Sequence, residues 1–203
     1  MAQHQIVFLF LAAGTSSRMR GSDKLLKEID GVPLIQRILG EALKLNFPVY
    51  VTLPVNDTER KLIVSKTNAA IIEVKDADLG MGQSIAAGLI ETTQNLNFQS
   101  LAICPSDLPG LNAGGLRKLI DFFLKNPEMI CRPAKLGKSK LGHPVIFPKK
   151  YFEELKMIKG DIGARNIVSR NEKSLNRFET ADDSYFTDLD TPEDFNNWEK
   201  RNS

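Results

Sequence analysis

Three groups of residues in this chain have the types and spacing that phosphate chemistry needs. The first runs from Leu11 through Ala12, Ala13, Gly14, three hydroxyls (Thr15, Ser16, Ser17), Arg18, Arg20 and Gly21 to Lys24, directly after the apolar run Ile6 to Phe10. Small side chains let a backbone approach a polyphosphate closely, with its N–H groups turned inward. Arg18 and Lys24 would neutralise the charge that develops on a departing pyrophosphate. The second group, Pro105-Ser106-Asp107-Leu108-Pro109-Gly110, sets one carboxylate between two prolines that fix its loop. A carboxylate so held suits Mg²⁺, which takes oxygen ligands and bridges to substrate phosphates. The third is Asp188-Leu189-Asp190-Thr191-Pro192-Glu193-Asp194. There Thr191 as N-cap, Pro192 at the first helical position and Asp194 three residues after the cap make a helix start that needs no functional explanation. Asp188 and Asp190 are not needed for that cap; on a strand they would share a face, and one of them could complete a site with Asp107. Each group also has a plainer reading. The first serves equally as an ordinary βα turn, and Asp107 alone could bond only its own backbone.

The bulk properties narrow the choice. The chain has 203 residues, 42% of them apolar, enough for one sizeable core and a single domain over residues 1–203. Charged residues make up 26% and the formal net charge is +2. With no Lys/Arg tract or aromatic-interleaved basic stretch, nucleic acid is not an expected partner. The cluster Lys135, Lys138, Lys140 reads as a solvated loop ahead of a substrate contact, and the loop to Gly142 as a mobile one. Cys104 and Cys131, with His4 and His143, form no metal-ligand spacing, so both cysteines are expected as reduced core residues. No run approaches the ~20 residues of a membrane span, and Ile6 to Ala13 is too short and lacks the basic leader of a secretory signal. A cytoplasmic location follows as the expectation.

These groups need a scaffold that brings them together. Pro33 opens a helical stripe of Leu34, Ile35, Ile38, Leu39, Ala42 and Leu43. Pro48 to Leu53, Ala69 to Val74 and Ser100 to Cys104 read as strands, with Asp57 capping a helix through Ser65 and another helix over Ser84 to Thr93. Asn112 caps a helix whose Leu116, Leu119, Ile120, Phe123 and Leu124 fall on one face. Beyond residue 130, Ile130 to Arg132 and Pro144 to Phe147 read as strands, Tyr151 to Met157 and Ala164 to Ser169 as short helices. Such alternation implies an α/β fold with a mostly parallel sheet covered on both faces, and ligands bind beyond the carboxyl ends of its strands. The loops after Phe10 and Cys104 both open at that edge. Gly80, Gly82 and Ser84 form a glycine-containing entry to a helix, with Ser84 near its N-cap. Gly160 and Gly163 allow close backbone approach. Asp161 could cap the helix that follows, and Arg165 offers a fork for a phosphate; by residue type alone the two also read as an i,i+4 surface pair.

The first loop resembles the LAAGxSxRMGxxK signature of the nucleotidyltransferase superfamily, which includes the molybdenum-cofactor guanylyl- and cytidylyltransferases and the sugar-nucleotide pyrophosphorylases; here Arg20 splits the usual Met-Gly pair. Gly142-His143-Pro144-Val145-Ile146-Phe147, followed by Gly160-Asp161-Ile162-Gly163-Ala164-Arg165, resembles the G-[NH]-P-V-x-F and G-D-x-G-A-R pair of the MocA-like cytidylyltransferase branch. The likeness runs from about Ile6 to Phe195. It implies a Rossmann-like three-layer αβα sandwich. It makes Asp107 a metal ligand and favours Asp190 over Asp188 as the second, with Mg²⁺ as cofactor and Arg18, Lys24 and Asp107 as the catalytic set. By the same resemblance Leu11, Ala12, Ala13, Gly14, Gly80, Gly82 and Ser84 bind nucleotide, while His143, Asp161 and Arg165 face the second substrate. His143 reads there as a hydrogen bonder or a buried neutral ring ahead of a metal ligand. Relatives with Leu-Ala-Ala-Gly tend to be cytidylyl enzymes and those with Leu-Ala-Gly-Gly guanylyl ones, so Ala13 points to CTP. The implied acceptor is the molybdenum-loaded pterin, with a molybdoenzyme or its chaperone as a partner. GTP or a sugar phosphate in the same fold, and a non-catalytic cofactor carrier, are the alternatives.

Overall fold

In the computed structural model, residues 5–14 and 23–202 are described. The elements are β1 (Ile6–Leu11), α1 (Leu34–Leu43), β2 (Val49–Pro54), α2 (Thr58–Val64), β3 (Ala70–Val74), α3 (Met81–Asn95), β4 (Ser100–Pro105), α4 (Ala113–Phe123), β5 (Cys131–Lys135), β6 (Val145–Pro148), α5 (Phe152–Lys156), α6 (Arg165–Arg170), β7 (Asn176–Thr180) and α7 (Pro192–Asn202). One seven-stranded sheet runs in the order β3-β2-β1-β4-β6-β5-β7. All neighbouring pairs are parallel except those made by β6, which runs against both β4 and β5.

Why β1 lies at the centre is plain in its composition. Ile6, Val7, Phe8, Leu9 and Phe10 are all at most 1% exposed, because each side chain meets a covered face. Ile6, Phe8 and Phe10 pack into one apolar layer with the inner faces of α1 and α4 and with Phe195 of α7. Val7 and Leu9 pack into the opposite layer with Ile85 and Leu89 of α3, Phe152 of α5, and Ile167 and Val168 of α6. This is the expected Rossmann-like three-layer αβα arrangement, with helices on both sides of a mostly parallel sheet.

Most expected elements are present, with informative shifts. Asp57 and Asn112 cap α2 and α4 by accepting from the N–H groups of Arg60 and Gly115. Helix α3 begins three residues before Ser84, so that residue is not its cap; Gly80, at φ +109°, holds that position. The loop from Lys135 to Gly142 is not open: Lys135 N–H donates to Lys140 (2.8 Å) and Lys138 N–H to Lys135 (3.0 Å), which closes a hairpin. Nor is its basic cluster simply solvated. Lys135 Nζ binds Asp183 and the Ala181 carbonyl, and Lys140 Nζ binds the Phe186 carbonyl. Both tie the hairpin to the 181–186 segment. Asp188 and Asp190 lie on an extended segment outside any strand. Two elements have no counterpart in the sequence reading: β7, and a small hairpin (Glu28–Ile29 with Val32–Pro33) turned by Asp30 and Gly31, both at positive φ.

Candidate active site

The carboxyl ends of β1 and β4 lie side by side, with Leu11 level with Pro105. Two residues on, Asp107 meets Lys24, which follows the first loop. Lys24 Nζ lies 2.6 Å from Asp107 Oδ2 and 2.7 Å from Asp190 Oδ1. One residue past β4 and one before α7 therefore converge on the ammonium group of Lys24.

The position of Asp190 has a local cause. The Leu189 N–H donates to the Asp107 carbonyl at 3.0 Å and its side chain is 1% exposed, so the 188–190 segment is pinned alongside β4. Asp190 is then fixed from its other side. Asp194 Oδ2 accepts from the N–H groups of Asp190 (3.2 Å) and Thr191 (2.9 Å) and from the Thr191 hydroxyl (2.7 Å). The Thr191 hydroxyl in turn accepts from the Asp194 N–H at 3.2 Å. This is the expected capping box, and it also holds the neighbouring carboxylate. Asp190 makes the contact with Lys24, while Asp188 is exposed and acts on Asp107 through its charge.

Burial would lower the Lys24 pKa, but attraction to Asp107 and Asp190 outweighs it, so the ammonium holds its proton more firmly than usual. Burial raises the pKa of Asp107; Lys24 opposes that rise, and the nearby Asp188 and Asp190 reinforce it. The two shifts pull the pair in opposite senses. The ammonium with two carboxylates at bonding distance is the firmer charge. Asp107 and Asp190 thus meet Lys24 at bonding distance, with the charge of Asp188 beside Asp107.

The donor chemistry fits Mg²⁺ or a similar hard ion. No group of three or more metal-ligating side chains exists among the described residues. Asp107 and Asp190 would hold the ion as a carboxylate pair, with substrate phosphate and water completing the shell, as Mg²⁺ prefers. Lys24 already marks where positive charge bridges the two. Beside Asp107, Ser106 is 2% exposed and its hydroxyl has no partner among the described residues.

Arg60, which sequence reasoning missed, anchors the first loop. It is 4% exposed although charged. Its Nη1 donates to the carbonyls of Ala12 (2.6 Å) and Gly14 (3.0 Å), its Nε to Asp23 (2.6 Å), and Asp57 lies 3.2 Å away. One guanidinium therefore joins both flanks of the loop to α2. Ala12 and Ala13 are buried and Gly14 is exposed. Arg18 and Arg20 lie outside the described residues.

The remaining candidates gather on the α3 side. A Cβ on Gly80 would fall 2.4 Å from Asp161 Oδ1, and one on Gly82 2.8 Å from the Lys159 backbone. The Gly82 N–H donates to the Gly160 carbonyl at 2.8 Å. These two glycines are required by the 159–161 turn packed on them. Ser84 is buried in the first turn of α3. Asp161 caps nothing, since α6 starts with no side-chain cap. Asp161 and Arg165 are both exposed and form no ion pair among the described residues, so the surface-pair reading is not realised. His143 sits at the entry to β6. Because that strand is antiparallel, its entry lies at the same edge as Asp107. Burial and then the charge of Arg132 lower the His143 pKa to about 4, so its ring is neutral at pH 7.

A mostly parallel sheet whose strand ends present a small-residue loop, a lysine and paired carboxylates is the setting of a nucleotidyltransferase, and the family match gives that class. The chain belongs to the MobA-like NTP transferase domain family, whose model matches residues 8–175. It is 25% identical to the purine catabolism protein PucB of Bacillus subtilis over 96% of both chains. Rv0371c of Mycobacterium tuberculosis superposes with a TM-score of 0.84 at 22% identity, covering 98% of this chain and all of that one. A manganese complex of Rv0371c gives 0.78 at 21% identity over 97% and 98% of the two chains. CMP:2-keto-3-deoxy-manno-octonic acid synthetase complexed with CTP gives 0.74 at 14% identity, again over 97% and 98%. No helix among the described residues is long and apolar enough to cross a membrane.

Proposed function

We propose that this nucleotidyltransferase moves CMP from CTP to the phosphate of a molybdopterin-type cofactor and releases pyrophosphate. An acceptor phosphate oxygen forms a bond to the α-phosphorus of CTP as the bond from that phosphorus to the bridging β-oxygen breaks, and the electron pair leaves with pyrophosphate. In-line transfer of this kind asks for positioning and charge neutralisation, and needs no protein nucleophile. The observation that carries the reading is the convergence of Asp107 and Asp190 on Lys24 at the strand edge, 2.6 and 2.7 Å away.

Asp107 and Asp190 would hold Mg²⁺, which when bound supplies charge stabilisation to the phosphates. Lys24, with Arg18, stabilises the departing pyrophosphate. The backbone of Leu11 to Gly14, braced by Arg60, cradles the nucleotide phosphates, and the start of α3 at Gly80, Gly82 and Ser84 lines its base and sugar. His143, Asp161 and Arg165 face the acceptor. Ala13 favours cytidine by resemblance, and the fold likeness to a synthetase solved with CTP supports it. The chain would act in the cytoplasm, where a molybdoenzyme or its chaperone would take the product.

The test is pyrophosphate release with each of the four NTPs, with and without molybdenum cofactor, in Mg²⁺ and in EDTA. Release with CTP, cofactor and Mg²⁺ together is the expected result. Release with GTP, or with a sugar phosphate in place of the cofactor, would reassign the substrates. Nucleotide binding with no release under any condition would make the chain a carrier.

A further inference from the structure

We propose that Arg132 positions the second substrate's subsite: it fixes the His143 turn and, with Arg165, presents paired guanidinium charge to a phosphate of that substrate. The inference deepens the reading of the reaction given above and rests on it.

Arg132 is the second residue of β5, on the sheet face that carries Val145 and the α6 side chains Ile167 and Val168. Its Nε and Nη2 both donate to the Gly142 carbonyl, at 3.1 and 2.9 Å. That oxygen directly precedes His143. The Gly142 N–H donates to Pro133 at 2.8 Å and the His143 N–H to Tyr185 at 3.0 Å. A Cβ on Gly142 would lie 2.4 Å from the Tyr185 carbonyl, so the turn admits no other residue there without moving. The backbone leading into the imidazole is thereby clamped, with Arg132 as the charged group in the clamp.

Two observations point from this clamp to an anion. The Nδ1 of His143 is buried with no partner among the described residues, a rare state for a polar atom in a folded protein. Arg132 and Arg165 also lie close enough for their charges to repel, and neither has a carboxylate partner among the described residues. Two guanidinium groups left together without a counter-charge match a phosphate, which Arg165 can bind through its fork and Arg132 through Nη1, the nitrogen its bonds to Gly142 leave over. Asp161, four residues before Arg165, does not satisfy it.

The chain has two histidines, so the ring resonances of His143 can be followed apart from those of His4. Inorganic phosphate titrated into labelled full-length protein at pH 7 should shift the His143 ring saturably. R165Q and R132M should each weaken that binding by about tenfold or more, the scale of one charge-assisted bond. R165Q alters an exposed residue, so it keeps the test open if R132M fails to fold. The phosphate shift should persist when the protein is first saturated with each NTP; loss on NTP addition would assign the charge pair to the nucleotide and overturn the proposal. In turnover assays R132M should raise KM for the acceptor about tenfold and leave KM for the nucleotide within about twofold, with R132K restoring little because it cannot grip one oxygen twice. Phosphate binding unchanged in both R165Q and R132M also overturns it. The titration needs no reaction, so a failure of the CTP and cofactor assignment is read separately from a failure here.

Discussion

Where β1 and β4 meet the 188–191 segment, each central charge has an opposite one at bonding distance. Lys24 lies 2.6 Å from Asp107 and 2.7 Å from Asp190, and Arg60 lies 2.6 Å from Asp23. Across the same edge, at the start of β6, the arrangement reverses: Arg132 and Arg165 repel each other, and a buried imidazole nitrogen has no partner among the described residues. The first region is held together by its own side chains before any ligand arrives. The second is electrostatically incomplete. The carboxylate end is thus internally paired, while the His143 end holds positive charge with no carboxylate partner among the described residues.

The comparison breaks most sharply at Arg60. Arg60→Met removes the charge that bridges Asp23 and the carbonyls of Ala12 and Gly14, leaving buried acceptors unmatched, and should cost about 3–5 kcal/mol in urea denaturation. A loss below 1 kcal/mol would mean that the loop flanks are held some other way. Next comes Asp107→Asn, which keeps the shape and removes the charge. Turnover should fall on the order of 10²–10³, about 3–4 kcal/mol in barrier, with Tm little changed; activity within tenfold of wild type would remove Asp107 from the catalytic set.

His143 sharpens the other side through pH. Its pKa is lowered from 6.5 to about 4, so the unfolded chain takes up the proton first as the pH falls. The stability contributed by its neutral ring is complete above pH 6.5 and is lost between there and about pH 4, about 1–3 kcal/mol in all. His143→Gln should flatten that part of the urea-midpoint profile relative to wild type, and identical slopes would show that the ring titrates normally. The smallest effect belongs to Thr191→Ala. Losing half of the capping box should cost about 1 kcal/mol and lower turnover modestly by freeing Asp190; unchanged turnover would show that Leu189 alone suffices to place that carboxylate.

Much of this was legible in the residues. The run Ile6 to Phe10 could only be a doubly covered strand, and Thr191-Pro192-Glu193-Asp194 could only begin a helix. Asp107 stood out at the end of a strand, and Asp190 through the family resemblance, but the contact of both with Lys24 was not legible, because Lys24 reads from its loop as a phosphate contact. Arg60 was not legible, because an arginine amid Thr58, Glu59 and Lys61 reads as solvent-facing until its partners from the first loop are in place. Strand β7 offers one apolar residue in five, Phe178, whose ring partners Phe122 and Tyr185 lie on other elements. The hairpin at Asp30-Gly31 was missed although that dipeptide is itself a turn signal, because its two strands are only two residues long. The pairing of Gly80 and Gly82 with the 159–161 turn depends on a contact across about eighty residues, which no local pattern encodes.

The reversed direction of β6 has a consequence for how such a chain can diversify. A forward strand meets the reactive edge at its exit, where the loop must also deliver the next helix. A reversed strand meets it at its entry, fed by a hairpin that has only to return. The tip of that hairpin, Gly137 to Ser139, carries none of the hydrogen-bonded ties to the 181–186 segment among the described residues, so it can be rewritten without disturbing the loop that holds Asp107 or the stretch that holds Asp190. A reversed strand thus leaves one side of the edge free to vary in sequence while the side that holds Asp107, Asp190 and Lys24 stays fixed.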